Sequence, residues 1–421
     1  MLQVAQQCLT ANLDNQGPET IFLRIVEARA NLSLALVQRL VGSSPSTADL
    51  NQLLGTLVDV IGNVEEPFSP QSISYYRTLL KTLYVTLRAY TLDSTRLTAD
   101  GKGPGSVTVT QTVLSLLDRV VAKGFKQLVT LIHDPDASVS PEDLSLLTAI
   151  LQACLAMPSM DQCQTQVLNI MAGHDAMQVA TSLFSWADRL ARDGDPVYGE
   201  LSLLFLLELS TLPRLAEQLA CDGLLESLTS ASLSNALRRA NVSPLAEAPA
   251  AQRCYGIWAR GVLPLLLNLV TALGATVAPE VAYVLNQFPH LLAASIDRLE
   301  APGASRTGAA DHGGSRITLV AVAELHSLAL LTRVLAAFRA NNARDVPAVA
   351  WDGAAVLENV EFWLAGRKLL RERLLPLGPR EVEWRAMAVG DGADGRAENR
   401  LEERVVAQLE AVRDVLSEDL E

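Results

Sequence analysis

Four short stretches bring potentially reactive side chains together. "HDPD" (133–136) sets a His and two Asp within four residues, donor types found in metal sites. Pro135 and the adjoining helix end make it a turn instead. "GKGPGS" (101–106) has the glycine content of a phosphate loop. It lacks the preceding strand and the Gly-Lys-Ser/Thr ending. "HGGS" (312–315) is similar to an oxyanion loop, but no G-x-S-x-G nucleophile elbow accompanies it. "GDGADGRAE" (390–398) lacks the Asp-x-Asp-x-Asp-Gly order and the closing Glu of a calcium loop. All four read as connectors. No catalytic, cofactor-binding or metal-binding residue is assigned, and the chain is expected to be no enzyme.

The other candidates for chemistry are scattered. His174, His290, His312 and His326 stand alone, and His326 lies on an apolar helix as a satisfied core residue. Cys8, Cys154, Cys163, Cys221 and Cys254 are odd in number and form no C-x-x-C pair. Four of them sit in apolar helical patterns, so they read as small buried hydrophobes in a reducing compartment. One constellation could recognise a partner. "GRKLLRERLLPLGPREVEWR" (366–385) is a basic patch in an acidic chain. Arg367, Lys368, Arg371, Arg373 and Trp384 form its candidate partner-binding surface. The plainer reading is a solvated helix face with its aromatics tucked into the core.

Composition says what must hold these residues. Hydrophobic side chains make up 49% of the 421 residues and charged ones 19%, so much of the chain must be buried. Aromatics are only 5%, which leaves the burial to Leu, Val and Ala and favours helix. The net charge of −13 repels phosphate backbones and argues against nucleic acid as a partner.

Apolar residues recur every three or four positions almost throughout, as in "QTVLSLLDRVVAKGFKQLVTLI" (111–132) and "RITLVAVAELHSLALLTRVLAAFRA" (316–340). Only "SVTVTQTV" (106–113) alternates like a strand, and it merges into a helix. Ser140-Pro141 and Ser69-Pro70 each place a cap before a proline at a first helical position. About 16 to 19 helices are expected. Longer loops are expected at 98–105, 240–251, 301–315 and 389–397, with 301–315 disordered. "ENRLEERVVAQLEAVRDVLSEDLE" (398–421) aligns Leu401, Val405, Leu409, Val412 and Leu416 on one stripe and reads as a C-terminal capping helix.

Gly124, Gly223 and Gly261 each stand before a fresh apolar run, and each reads as a left-handed residue ending a helix. The last two are 38 residues apart in sequence, near the armadillo/HEAT period. The expected fold is therefore all-α, a right-handed superhelical stack of armadillo/HEAT-like repeats, with 1–421 one continuous α-solenoid. "GVLPLLLNLVTALGATVAPEV" (261–281) is nearly long enough to span a membrane. A helix starting near Val262 and ending before Gly274 is too short to do so, and is expected to be buried instead.

"CYGIWARGVLPLLLNLV" (254–270) and "LSLLFLLELSTLPRLAEQLACDGLLESL" (201–228) carry a further resemblance. They are similar to the C-terminal tail of the large fungal inner-ring scaffold nucleoporins of the one-eighty-eight family. The likeness extends over the whole chain, which reads as a fragment of a larger protein. It implies a karyopherin-like α-solenoid scaffold in the nuclear pore complex, in the nucleus, serving nucleocytoplasmic transport. Implied partners are linker nucleoporins and neighbouring inner-ring subunits, with the isolated fragment monomeric. The chain contains no Phe-Gly dipeptide, unlike the disordered barrier nucleoporins.

The alternative is a transport-receptor-like or adaptor solenoid that binds cargo peptides, Phe-Gly repeats or transport factors. Cargo receptors of the importin-alpha type use regular Trp ladders. Trp186, Trp258, Trp351, Trp363 and Trp384 follow no such spacing. A terpene cyclase-like helical enzyme would need Asp-rich metal motifs that are missing.

Overall fold

A computed structural model describes the chain except for residues 14–18, 41–45, 98–104, 135, 191–193, 240, 303–315, 342–344, 392–396 and 418–421. The expected disordered segment 301–315 falls almost wholly outside the described residues, as do most of loop 98–105 and the middle of 389–397.

The fold is all-α, as the periodicity requires. Among the described residues there are 22 α-helices, more than the 16 to 19 expected. Short pieces such as Ser232–Leu237 and Arg367–Arg373 raise the count. The alternating stretch 106–113 lies inside the helix Gly105–Leu116, so helical neighbours override its strand-like pattern. The only strands described are Ala388–Asp391 and Ala397–Asn399, an antiparallel pair where a loop was expected.

The chain forms two compact units. The first comprises Met1–Leu183 with Leu204–Leu215, and the second Phe184–Leu203 with Ala216–Glu421. In the first, Leu2–Leu13 packs on Glu19–Leu40 and Thr47–Gly62, Glu19–Leu40 packs on Ile73–Leu97, and Ile73–Leu97 on Pro141–Leu155. Each helix thus hides its apolar side on nearby helices. Phe125 and Phe205 stack in the core with ring centroids 3.9 Å apart.

The start of Pro141–Leu155 is fixed from two sides. Asp143 Oδ2 accepts the Ser140 amide at 2.8 Å, closing a capping box. The Arg77 guanidinium also donates to both Asp143 oxygens, at 2.6 and 2.7 Å. Ser69-Pro70 behaves differently. Residues 70–72 make a turn and the helix begins at Ile73.

In the second unit, Leu319–Ala340 packs on Leu263–Leu273 and on Arg400–Ser417, which also covers Gly353–Ala365. Leu401, Val405, Leu409, Val412 and Leu416 are all buried in that contact. Burying each such side chain contributes about 1.5–3 kcal/mol.

The glycine reading holds at one position of three. Gly223 has φ +80° and ends the helix Pro213–Cys221 in the left-handed conformation. Gly124 and Gly261 do not end helices. Each lies in or just after a π-turn that carries one helix into the next, at Leu117–Ala122 and Ile257–Val262. There the Lys123 amide reaches Asp118 O and the Leu263 amide reaches Trp258 O, five residues back. Pro264 follows the second turn immediately. Its ring would crowd the carbonyl four residues earlier in a regular helix, and the wider turn gives it room.

This corrects the expected short helix at 262–273. The helical run is continuous over Pro249–Thr276, and both it and Leu319–Ala340 are long and apolar enough to cross a membrane. Length therefore does not set it apart from a membrane span. Packing does: Trp258, Leu263, Leu265, Leu266 and Leu269 are each almost wholly buried.

Candidate protein-interaction surface

The structure does not gather the five residues of the basic patch into one open face. Arg371, on the helix Arg367–Arg373, donates to both carboxylate oxygens of Glu402, at 2.6 and 3.0 Å. Glu402 is fully buried beneath it. This is a bidentate clamp on the Arg400–Ser417 helix, not a free cation. Arg367 Nη2 lies 3.4 Å from Glu410 on the same helix. The half-buried Arg373 gives its carbonyl to the Ile317 amide at 3.0 Å. Two guanidinium groups lie over the Trp384 ring, those of Arg380 at 4.9 Å and Arg404 at 4.0 Å from its centroid. Lys368 stays exposed.

The sequence hides this because Glu402 and Glu410 lie 31 and 43 residues from the arginines they meet. We expect Arg371→Ala to act on stability first, lowering it by about 2–4 kcal/mol by stranding a buried carboxylate. Chemical denaturation followed by circular dichroism measures this. An unchanged midpoint would return Arg371 to the surface patch.

The other tryptophans serve separate places. Trp258 and Trp363 are fully buried, and Trp363 Nε1 donates to Leu299 O at 2.7 Å. Trp351 Nε1 donates to Ser295 Oγ at 3.0 Å. Trp186 is 48% exposed, with Arg189 over its ring at 4.1 Å.

The second unit also contains a polar centre that the sequence reading missed. Glu324 is 0% exposed. It accepts hydrogen bonds from Tyr255 Oη at 2.6 Å, Trp258 Nε1 at 2.8 Å and Arg298 Nη1 at 2.7 Å. Arg298 further donates to Val242 O at 3.2 Å and stacks over Tyr255 at 4.7 Å. Burial pushes the Glu324 carboxyl up, opposed by Arg298 and the two neutral donors. The Tyr255 hydroxyl is also pushed up, first by burial and then by Glu324. The available signal was a lone carboxylate within "LVAVAELHSLALL" (319–331), an apolar run where an unpaired charge would be costly.

The remaining reactive groups are quiet. Cys154 and Cys254 are buried, and burial raises their thiols to about 12 and about 11. Cys221, by contrast, is exposed, and Cys8 and Cys163 are half-buried. His326 is half-buried, which lowers its pKa, and His174 Nε2 lies 2.8 Å from Asp118. Asp134 Oδ1 accepts the Asp136 amide at 3.0 Å, a local turn bond. Among the described residues no group of three or more His, Cys, Asp or Glu side chains could hold a metal ion.

Comparison with known proteins identifies the family. The family described as "Nuclear pore protein NUP188 C-terminal domain" matches residues 53–416. Nucleoporin NUP188 of Chaetomium thermophilum is 53% identical over all of this chain, which spans 24% of that relative's length. Nucleoporin nup184 of Schizosaccharomyces pombe is 28% identical over 62% of the chain, corresponding to 16% of its own length. The solved structure of Nup188(aa1445-1827) from Myceliophthora thermophila is 58% identical with a TM-score of 0.75, covering 87% of this chain and 98% of its own. An all-helical chain matched in this way by family, sequence and structure belongs to the NUP188 C-terminal domain family of nuclear pore proteins.

Proposed function

We propose that this chain is a scaffold segment of the nuclear pore complex, in its inner ring at the nuclear envelope. It acts as a rigid surface on which other nucleoporins assemble in support of nucleocytoplasmic transport. The observation that carries this reading is 53% identity to a nucleoporin along the entire chain. The physical basis is the helical stack: each helix hides its apolar face on its neighbours, and the outward faces stay fixed for other chains to lie on. In this role the chain catalyses nothing, crosses no membrane and is monomeric alone. The buried tryptophans at 258 and 363 favour scaffold over a cargo groove built on a Trp ladder.

Pull-down of the purified 421-residue chain against separately purified inner-ring and linker nucleoporins tests the proposal. Retention of at least one in stoichiometric amount is expected, and retention of none would count against it.

A further inference from the structure

Among the described residues, the two stretches long and apolar enough to cross a membrane, Pro249–Thr276 and Leu319–Ala340, pack on each other. They run parallel. Trp258 meets Glu324 toward one end, and a Cβ added at Gly274 would touch Phe338 Cζ at 3.8 Å toward the other. Between these points the buried side chains on both helices are aliphatic, such as Leu265, Leu266 and Leu269 on one and Leu325, Leu328 and Leu335 on the other. Apolar burial is non-directional. Side chains of similar size recur every three or four positions, so sliding one helix by a turn covers nearly as much apolar surface as the observed alignment.

One group breaks that equivalence. Glu324 is the only acidic residue on either helix. Its three donors are held in place by other parts of the second unit. Trp258 packs on Phe288, with ring centroids 5.2 Å apart. Arg298, which follows the helix Pro289–Asp297, is tied to Val242 O and stacked over Tyr255. A slide of four residues would bring Val320 or Leu328 to this point and strand a buried guanidinium.

We propose that the Tyr255–Trp258–Arg298–Glu324 network is a register lock. It selects one alignment of Leu319–Ala340 along Pro249–Thr276 from several that bury similar apolar surface, the role for which buried ionic groups are best attested. The lock acts within the second unit and needs no partner protein.

Double electron–electron resonance on the 421-residue chain is the test. Nitroxides go on the exposed positions Gln252→Cys and Ala337→Cys. Cys8, Cys163 and Cys221 are changed to Ser, and the buried Cys154 and Cys254 stay unlabelled. One distance is expected with the network intact. Tyr255→Phe, Arg298→Met and Glu324→Met together replace the network with apolar groups of similar volume. This variant should keep its helical circular dichroism. It should add a second distance displaced by about 5–6 Å, a slide of three or four residues. Leu266→Met, Leu269→Met and Leu328→Met together soften the same contact but spare the network, and should keep one distance. Moving the carboxylate by a turn, with Glu324→Leu and Leu328→Glu, should shorten the distance by about 6 Å, because the helices are parallel and position 328 would take over the same donors.

A single unchanged distance in the network variant or in the relocated one would overturn the proposal. So would a second distance of equal weight in the Leu→Met variant, because softness of the core would then be the cause. Loss of helical signal in the network or relocated variant would overturn it too, since no second alignment would be within reach.

Discussion

Glu324→Ala is expected to destabilise the second unit by about 3–5 kcal/mol, the cost of breaking a buried ion pair from one side. Three donors converge on this carboxylate: Tyr255, Trp258 and Arg298. Truncation leaves the hydroxyl, the indole N–H and a guanidinium without the acceptor they share. The arginine dominates, because an unpaired buried charge costs more than an unpaired neutral donor. Denaturant unfolding followed by tryptophan fluorescence should show the loss, since Trp258 is part of the network.

A double-mutant cycle with Arg298→Ala should be non-additive by about 1–3 kcal/mol, because the second truncation removes the charge that the first one strands. Additive losses would mean that the network does not act as a unit. The carboxyl is raised by burial, so the folded state holds its proton more tightly than the unfolded state does. The contribution of this group to stability therefore falls as pH rises above the ordinary 4.5 toward the folded value, and Glu324→Gln should lack that decline.

Gly261→Val should be the second large effect, about 1–3 kcal/mol or more. An added Cβ would meet Leu203 Cδ2 inside the 3.0 Å that real Cβ atoms respect, with Leu203 Cγ only 3.1 Å away. Leu203 is fully buried, so it cannot swing aside without moving its neighbours. The earlier expectation of a left-handed φ at Gly261 named the wrong cause. Close approach between the π-turn and the helix Val197–Ser210 takes its place.

The two causes are separable. Leu203→Ala alone leaves a cavity and should destabilise by about 2–5 kcal/mol. Combined with Gly261→Ala it should lose less than the two single losses added, because the new methyl enters the space vacated. Thermal melts of the three variants decide this, and strict additivity would restore a backbone origin.

Helical class, the stripe on Arg400–Ser417 and the cap at Ser140 were legible because each depends on residues within a few positions of one another. The C-terminal stripe needed only the recurrence of Leu401, Val405, Leu409, Val412 and Leu416. The π-turns were not legible. One extra residue per turn barely disturbs an apolar pattern that is already dense, as in "IWARGVLPLLL" (257–267). The fate of the basic patch was not legible either, because it depended on which distant carboxylates the fold would bring beneath it. Asp143 shows the boundary within one residue. Its bond to the Ser140 amide follows from spacing, whereas its grip on Arg77, 66 residues away, follows only from the packing of two helices.

The wide turn at Ile257–Val262 makes this stretch intolerant of a change in length. Each residue of an α-helix advances it by about 100°. Losing one residue there would close the wide turn toward ordinary α-helix and press the Pro264 ring against the carbonyl four residues before it. The side chains upstream would also rotate about a third of a revolution against those downstream. Tyr255 could then no longer face Glu324 while Leu263, Leu266 and Val270 kept their places. A single deletion would thus cost the helix twice, once at Pro264 and once by leaving one half of it misdirected.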